Sequence, residues 1–253
     1  LAGYQDLREK CFNAIFGLGC YYHETIKIVD YYLMHKSRYN AILLDVDDTL
    51  FKTRAIKWQQ HKWVAKNYYD IKLSDKTLGA HWGKPFDDLV SSLYDGKDTP
   101  EARRANFIRH ELDFPKDYQP HALELINNLH ISNIVLGLIS SMYLEGAMIE
   151  YKKLKLPFNH FAIIQGTEAT NYHKPDGRVF IPALNKLSEL GVHDGIAYVG
   201  DALSDFKAAT DAGLEFIAVT QGLASREQFL RAGAKYVFSN LKKIECFILK
   251  TMA

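Results

Sequence analysis

Five short apolar runs, each ending in polar or acidic residues, constrain the fold of this chain more than any other feature: Ala41–Leu44, Ile134–Ile139, Phe161–Ile164, Ile196–Val199 and Phe216–Val219. Near-continuous apolar runs of this length read as strands covered on both faces, because a half-exposed strand would alternate with period two. Helical stretches separate the later runs, at Leu144–Leu154, Val179–Leu190 and Leu203–Ala212. Strand and helix in alternation predict an α/β fold built on a parallel sheet with helices on both faces.

One interval breaks the rhythm. About ninety residues without a convincing strand separate the first run from Ile134, far more than a single crossover needs. They read as helices over Ile56–Tyr69, Phe86–Tyr94, Pro100–Glu111 and Ala122–His130, and the last leads straight into Ile134 and belongs to the sheet. The expected organisation is therefore a catalytic core of residues 40–52 and 118–253, an inserted α-helical cap of residues 53–117, and an N-terminal helical extension of residues 1–39. The insert follows the first strand, at the C-terminal end of the sheet where open α/β proteins bind ligands, so a lid is expected there. In the extension, Leu7, Cys11, Ala14 and Ile15 recur at helical spacing, which suits packing on the core or a homodimer contact.

Bulk properties exclude several classes. With 31 Lys and Arg against 30 Asp and Glu, the net charge of +1 gives no reason to expect nucleic acid or an anionic membrane as partner. No apolar run approaches the roughly 20 residues of a membrane-spanning helix. The N-terminal residues lack the order of a secretory signal, and Cys11, Cys20 and Cys246 form no paired spacing; a cytoplasmic setting is the expectation.

The chemistry gathers at strand ends. The first run delivers Asp45-Val46-Asp47-Asp48-Thr49, and carboxylates this close raise one another's pKa unless a cation or a charged reaction absorbs them. The second delivers Ser140-Ser141 at the start of a helix, where free N–H groups suit an anion and where a simple N-cap is equally natural. Lys174 precedes a Pro-Asp-Gly turn. Ile196–Val199 ends in Gly200-Asp201, with Asp205 one helical turn further on the same side. Parallel strands point their C-terminal ends one way, so these groups can share one crevice. Four carboxylates, a hydroxyl and a lysine suit Mg²⁺ together with a phosphoryl group.

In order and spacing these residues resemble the haloacid dehalogenase-like hydrolase superfamily. Asp45-Val46-Asp47-Asp48-Thr49 looks like its first motif, Ser140 its second, Lys174 its third, and Gly200-Asp201 with Asp205 its fourth. Asp211-Ala212-Gly213 and Thr220-Gln221-Gly222 look typical of the phosphoglycolate-phosphatase-like branch. The resemblance runs from about Asn40 onward and leaves residues 1–39 uncovered. It implies a Rossmann-like core with a cap, and a Mg²⁺-dependent phosphatase acting on a small phosphorylated metabolite such as 2-phosphoglycolate. Asp45 would be the nucleophile, forming an aspartyl-phosphate, and Asp47 the general acid and base. Ser140, Ser141 and Lys174 would hold the phosphoryl oxygens. Asp45, the Asp47 backbone carbonyl, Asp201 and Asp205 would serve the metal. Dehalogenases and phosphonatases of the superfamily lack an aspartate at the position of Asp47, so its presence implies phosphate-ester chemistry. A phosphomutase of the β-phosphoglucomutase kind, or a non-catalytic binding module, is the alternative.

Two departures matter. Asp48 stands where glycine is more usual in the family, and Lys52 where many relatives carry aspartate. With Arg54, Lys52 reads either as a solvated hinge or as a contact for a second anionic group of the substrate. Within the cap, the His81-Trp82-Gly83-Lys84-Pro85 loop is the expected substrate-facing segment, through His81, Trp82 and Lys84. Trp58, Trp63, Tyr68 and Tyr69 read as cap core, and Arg103-Arg104 as a solvated helix face.

Overall fold

The computed structural model describes residues 37–250; the helices expected before residue 37 lie outside the described residues. In chain order the elements begin with β1 (Ala41–Asp45), β2 (Phe51–Lys52), α1 (Arg54–Tyr69), α2 (Asp75–His81), α3 (Phe86–Leu93), α4 (Pro100–Ile108), β3 (Asp117–Tyr118), α5 (Ala122–Ile131) and β4 (Val135–Ile139). They continue with α6 (Leu144–Lys153), β5 (Phe161–Gln165), α7 (Ile181–Glu189), β6 (Ile196–Gly200), α8 (Leu203–Asp211), β7 (Glu215–Val219), α9 (Arg226–Ala232), β8 (Tyr236–Phe238) and α10 (Leu241–Leu249). No helix among the described residues is long and apolar enough to cross a membrane.

The sheet order is β5-β4-β1-β6-β7-β8, parallel throughout. Strand period two divides β1 between two cores. Ile42 and Leu44 pack with Leu125, Ile126 and Leu129 of α5, Tyr151 of α6 and Leu241, Ile244 and Ile248 of α10. Ala41 and Leu43 face the other layer, with Ala183 and Leu187 of α7, Ala208 and Ala209 of α8, and Phe229 of α9. Every side chain of β1 except Asp45 is fully enclosed. Burying each of Ile42, Leu43 and Leu44 contributes about 1.5–3 kcal/mol before chain entropy is counted.

The helical insert enters through β2 and leaves through β3, which pair antiparallel as Phe51 with Tyr118 and Lys52 with Asp117. Between them α1 to α4 enclose a core of their own, with Val64, Leu78, Phe86, Val90, Tyr94 and Phe107 buried. Local signals set the ends. Ser74 caps α2 by accepting from Thr77 N–H at 3.0 Å, and Thr99 caps α4 ahead of Pro100.

Several details differ from the sequence reading. α2 is an additional helix, and it takes in His81, leaving Trp82–Pro85 as the connecting loop. α7 begins at Ile181 because a tight turn over Gly177–Phe180 precedes it and Pro182 sits in its first turn. β8 adds a sixth strand. Trp63 and Tyr68 lie more than a third exposed, their rings tilted against His110, whereas Tyr69 is buried as expected. Arg103 and Arg104 are not a solvated face. Arg103 is buried and donates to the carbonyls of Lys97 and Asp98, and Arg104 donates to Asp87 and to the Tyr143 hydroxyl.

Candidate active site

Register brings the chemistry together. Asp45 aligns with Ile139 on β4, and Leu44 with Val199 on β6, so Asp45, Ser140 and Asp201 leave neighbouring strands at one level. Lys174 reaches the same point from the loop after β5. Its ammonium lies 2.6 Å from Asp45 Oδ1 and 2.7 Å from Asp205 Oδ1, and donates to the Tyr198 hydroxyl at 3.1 Å. Thr49 Oγ1 donates to Asp45 Oδ2 at 2.8 Å and to Asp201 Oδ1 at 3.3 Å, locking the first turn onto the β6 end. Asp201 Oδ2 accepts from Leu223 N–H at 2.7 Å, and Asp205 Oδ2 from Ala202 N–H at 3.1 Å.

Two glycines make room for these carboxylates. A Cβ on Gly200 would stand 2.7 Å from the Asp205 carboxylate, and one on Gly222 would stand 1.8 Å from Asp201 Oδ2. Neither position tolerates a side chain without moving an acid.

Asp45, Asp201 and Asp205 are all buried, and each offers an oxygen within 4.8 Å of the others. Burial lifts Asp45 to about 7 despite Lys174, with Asp205 and Asp47 pushing the same way. Burial followed by Asp45 and Asp205 lifts Asp201 well above the carboxylate range. Burial alone would lower Lys174, but Asp205 and Asp45 hold it well above an ordinary ammonium. One lysine against three carboxylates leaves negative charge uncompensated. An all-oxygen donor set with that deficit fits a hard divalent cation such as Mg²⁺, and not a thiophilic metal.

Asp47 stands apart from the trio. Its Oδ1 accepts from Lys116 Nζ and from Thr53 Oγ1, each at 2.8 Å. Burial pushes this carboxyl up, but Lys116 and the Thr53 hydrogen bond outweigh it and hold it below the usual range. Asp48 also lines the cavity, but its carboxylate is engaged by the backbone. It adopts φ 59°, the left-handed region that favours glycine, and its Oδ1 accepts from the backbone N–H of Thr53 and of Arg54, both at 3.0 Å. Aspartate is tolerated at a glycine position here because its side chain caps α1.

The remaining expected site residues divide. Ser140 is buried, and its Oγ accepts from Met142 N–H at 3.0 Å; Ser141, not Ser140, lines the cavity over the carboxylates. That cavity, of about 100 Å³, is also lined by Trp82 and Lys84 but not by His81, whose Nδ1 lies 2.8 Å from Lys84 Nζ. Lys52 is exposed on β2 and Arg54 opens α1; neither lines the cavity. Sequence reasoning missed Lys57, His61, Phe107 and Lys116, which do line it. Lys57 and His61 share the buried face of α1 at i and i+4, but that face also carries Gln60, so no apolar stripe marked it in the sequence. Lys116 carried no signal, because its partners come from distant elements.

Comparisons with known proteins bear on this arrangement. The family described as haloacid dehalogenase-like hydrolase matches residues 42–219. A curated relative, "Putative pyrophosphatase PpaX" of Clostridium perfringens, is 28% identical over 184 residues, covering 71% of this chain and 83% of that protein. Among solved structures, a "Putative haloacid dehalogenase-like hydrolase" from Bacteroides fragilis superposes with a TM-score of 0.70 at 23% identity, covering 81% of this chain and 99% of the other. CbbY from Rhodobacter sphaeroides, solved in complex with phosphate, gives a TM-score of 0.67 at 18% identity, covering 81% and 96%. The family match begins on the strand that carries Asp45 and ends on the strand beyond Asp201 and Asp205, so it takes in every acid at the strand ends, and the chain belongs to the haloacid dehalogenase-like hydrolase family.

Proposed function

We propose that this chain is a Mg²⁺-dependent phosphatase that hydrolyses a small phosphomonoester through an aspartyl-phosphate on Asp45. The observation that carries the reading is Lys174, whose ammonium bridges Asp45 and Asp205 while Asp47 stands beside them with its own hydrogen-bonding partners. A nucleophile held on a cation and an independent acid are what a two-step displacement at phosphorus needs.

In the first step an oxygen of Asp45 bonds to phosphorus as the ester P–O bond breaks. The electron pair of that bond stays on the leaving oxygen, which takes a proton from Asp47 and departs as the alcohol. A phosphate dianion beside Asp47 raises its pKa by like-charge repulsion, so a group that rests as a carboxylate takes up a proton with the substrate. In the second step a water attacks the aspartyl-phosphorus, Asp47 accepts its proton, and Asp45 is released as a carboxylate with inorganic phosphate. Lys174 balances the nucleophile throughout, and the Ser141 segment faces the phosphoryl group. Mg²⁺ held by Asp45, Asp201 and Asp205 would offset repulsion between the anionic nucleophile and the phosphate. The helices α1 to α4 form the lid of this site and supply its apolar wall.

The test is phosphate release from a panel of phosphomonoesters that includes 2-phosphoglycolate, with Mg²⁺ or with EDTA, and with Asp45→Asn beside the wild type. Turnover of at least one compound, abolished by EDTA and by the substitution, is the expected result. Wild-type silence across the panel, with Mg²⁺ bound, would sink the reading.

A further inference from the structure

The acid assigned above is anchored on one side only. Asp47 Oδ1 takes both Lys116 and Thr53, and no described residue bonds to Oδ2. Lys116 precedes β3, and its side chain is 2% exposed. A lysine this enclosed needs a second partner, and its ammonium lies 2.9 Å from Glu150 Oε2 on α6. The chain of charges continues. Glu150 Oε1 is 2.7 Å from Lys57 Nζ on α1, and Lys57 is 3.0 Å from Glu111 Oε1 just beyond α4. Gln60 ties the far end, accepting from Lys57 at 2.8 Å and donating to Glu111 Oε2 at 2.9 Å.

Five charges thus alternate in sign: Glu111, Lys57, Glu150, Lys116, Asp47. Lys57 and Glu111 belong to the insert, Glu150 to the helical layer on the sheet, and Lys116 to the returning linker. Only with the insert seated on α6 are all five paired.

We propose that Lys116 is a positioning residue for the reaction: braced by Glu150 and Lys57, it fixes Asp47 so that Oδ2 faces the scissile ester oxygen, and so links proton delivery to the seating of the inserted helices. The inference rests on the phosphatase reading. It differs from a purely structural role in one measurable way. As the P–O ester bond breaks and its electron pair stays on oxygen, a strongly basic leaving oxygen needs the proton of Asp47, whereas a weakly basic phenolate does not.

Two phosphates of similar size separate these cases: benzyl phosphate, with a basic alkoxide leaving group, and 4-nitrophenyl phosphate. In the full chain with Mg²⁺, Lys116→Met is expected to lower kcat/KM for benzyl phosphate about 100-fold more than for 4-nitrophenyl phosphate, within the range of a lost general acid. Glu150→Gln keeps the volume and removes the brace; it is expected to show the same split at about tenfold. It carries the test if Lys116→Met fails to fold by thermal melting. Equal losses on both substrates, or a smaller loss on benzyl phosphate, would overturn the proposal while leaving the phosphatase reading intact. A wild type that turns over neither compound nor the wider panel would instead remove that reading, and this inference with it.

Discussion

A Cβ built on Gly222 stands 1.8 Å from Asp201 Oδ2, 2.4 Å from Cγ and 2.6 Å from Cβ. The backbone φ of Gly222 lies outside the left-handed region, so alanine brings no conformational penalty and its whole effect is the methyl group. To restore ordinary contact at 3.4 Å, Oδ2 must retreat by about 1.6 Å, and it leaves the Leu223 N–H at 2.7 Å in doing so. Mg²⁺ accepts oxygen ligands at about 2.0–2.1 Å with little tolerance, so a shift of that size takes Asp201 out of any shared coordination with Asp45 and Asp205. Gly222→Ala is therefore expected to weaken Mg²⁺ binding at least about tenfold and to lower kcat/KM on the order of 100-fold. The lost hydrogen bond to a charged acceptor limits the change in folding stability to about 1.5–3 kcal/mol. Isothermal titration with Mg²⁺, phosphate release and chemical denaturation measure the three quantities on one preparation. A folded variant with wild-type Mg²⁺ affinity and activity would refute the assignment of Asp201 as a ligand.

Lys57→Met strands Glu111 and Glu150 in the interior and is expected to destabilise the fold by roughly 3–5 kcal/mol in urea denaturation at pH 8. Burial already lifts Glu111 to about 7 against the pull of Lys57, and losing that pull raises it further. The unfolded pKa is lower, so the deficit is largest above the folded pKa and shrinks as pH falls toward 5; a deficit independent of pH would count against the ionic chain. His61 is buried, its Nδ1 2.9 Å from the Tyr94 hydroxyl, and burial followed by Lys57 lowers it to about 3. Its folded pKa lies below the unfolded value, so its stability is present above about 6.5 and is lost as pH falls toward 3. The fall is about 3 kcal/mol between pH 7 and pH 4, and His61→Phe is expected to remove it from the pH profile of unfolding. Parallel profiles for wild type and variant would refute that reading.

The parallel sheet was legible because its inner strands β1, β4 and β6 are near-continuous apolar runs that end in chemically distinctive groups. Asp45 and Asp201 could be placed from strand ends, with Asp205 one helical turn on, since register in a parallel sheet carries their relative positions; Lys174, in the loop after β5, was legible only through the family motif. What escaped detection depends on pairings that no local pattern encodes. β2 and β3 are two residues each and exist only because the two ends of the insert meet. α2 buries Leu78 alone, too little for a helical stripe, and β8 is three residues at the edge of the sheet. Arg104 and Lys116 look like solvated cations in sequence. Asp87 and Tyr143 claim the first, and Asp47 and Glu150 the second, all supplied by other segments.

The place of β1 between β4 and β6 has a consequence during synthesis. β1 is the first strand of the sheet to be made, yet β4 begins at Val135 and β6 at Ile196. At about 5–20 residues per second, both its edges stay bare for roughly 5–18 s and the second for roughly 8–30 s. The insert has a core of its own and can collapse while it waits, whereas the apolar strand before it cannot. An unpaired apolar strand is a template for other chains, so the soluble yield of this protein depends on how the nascent Ala41–Leu44 segment is shielded until Ile196–Gly200 arrives.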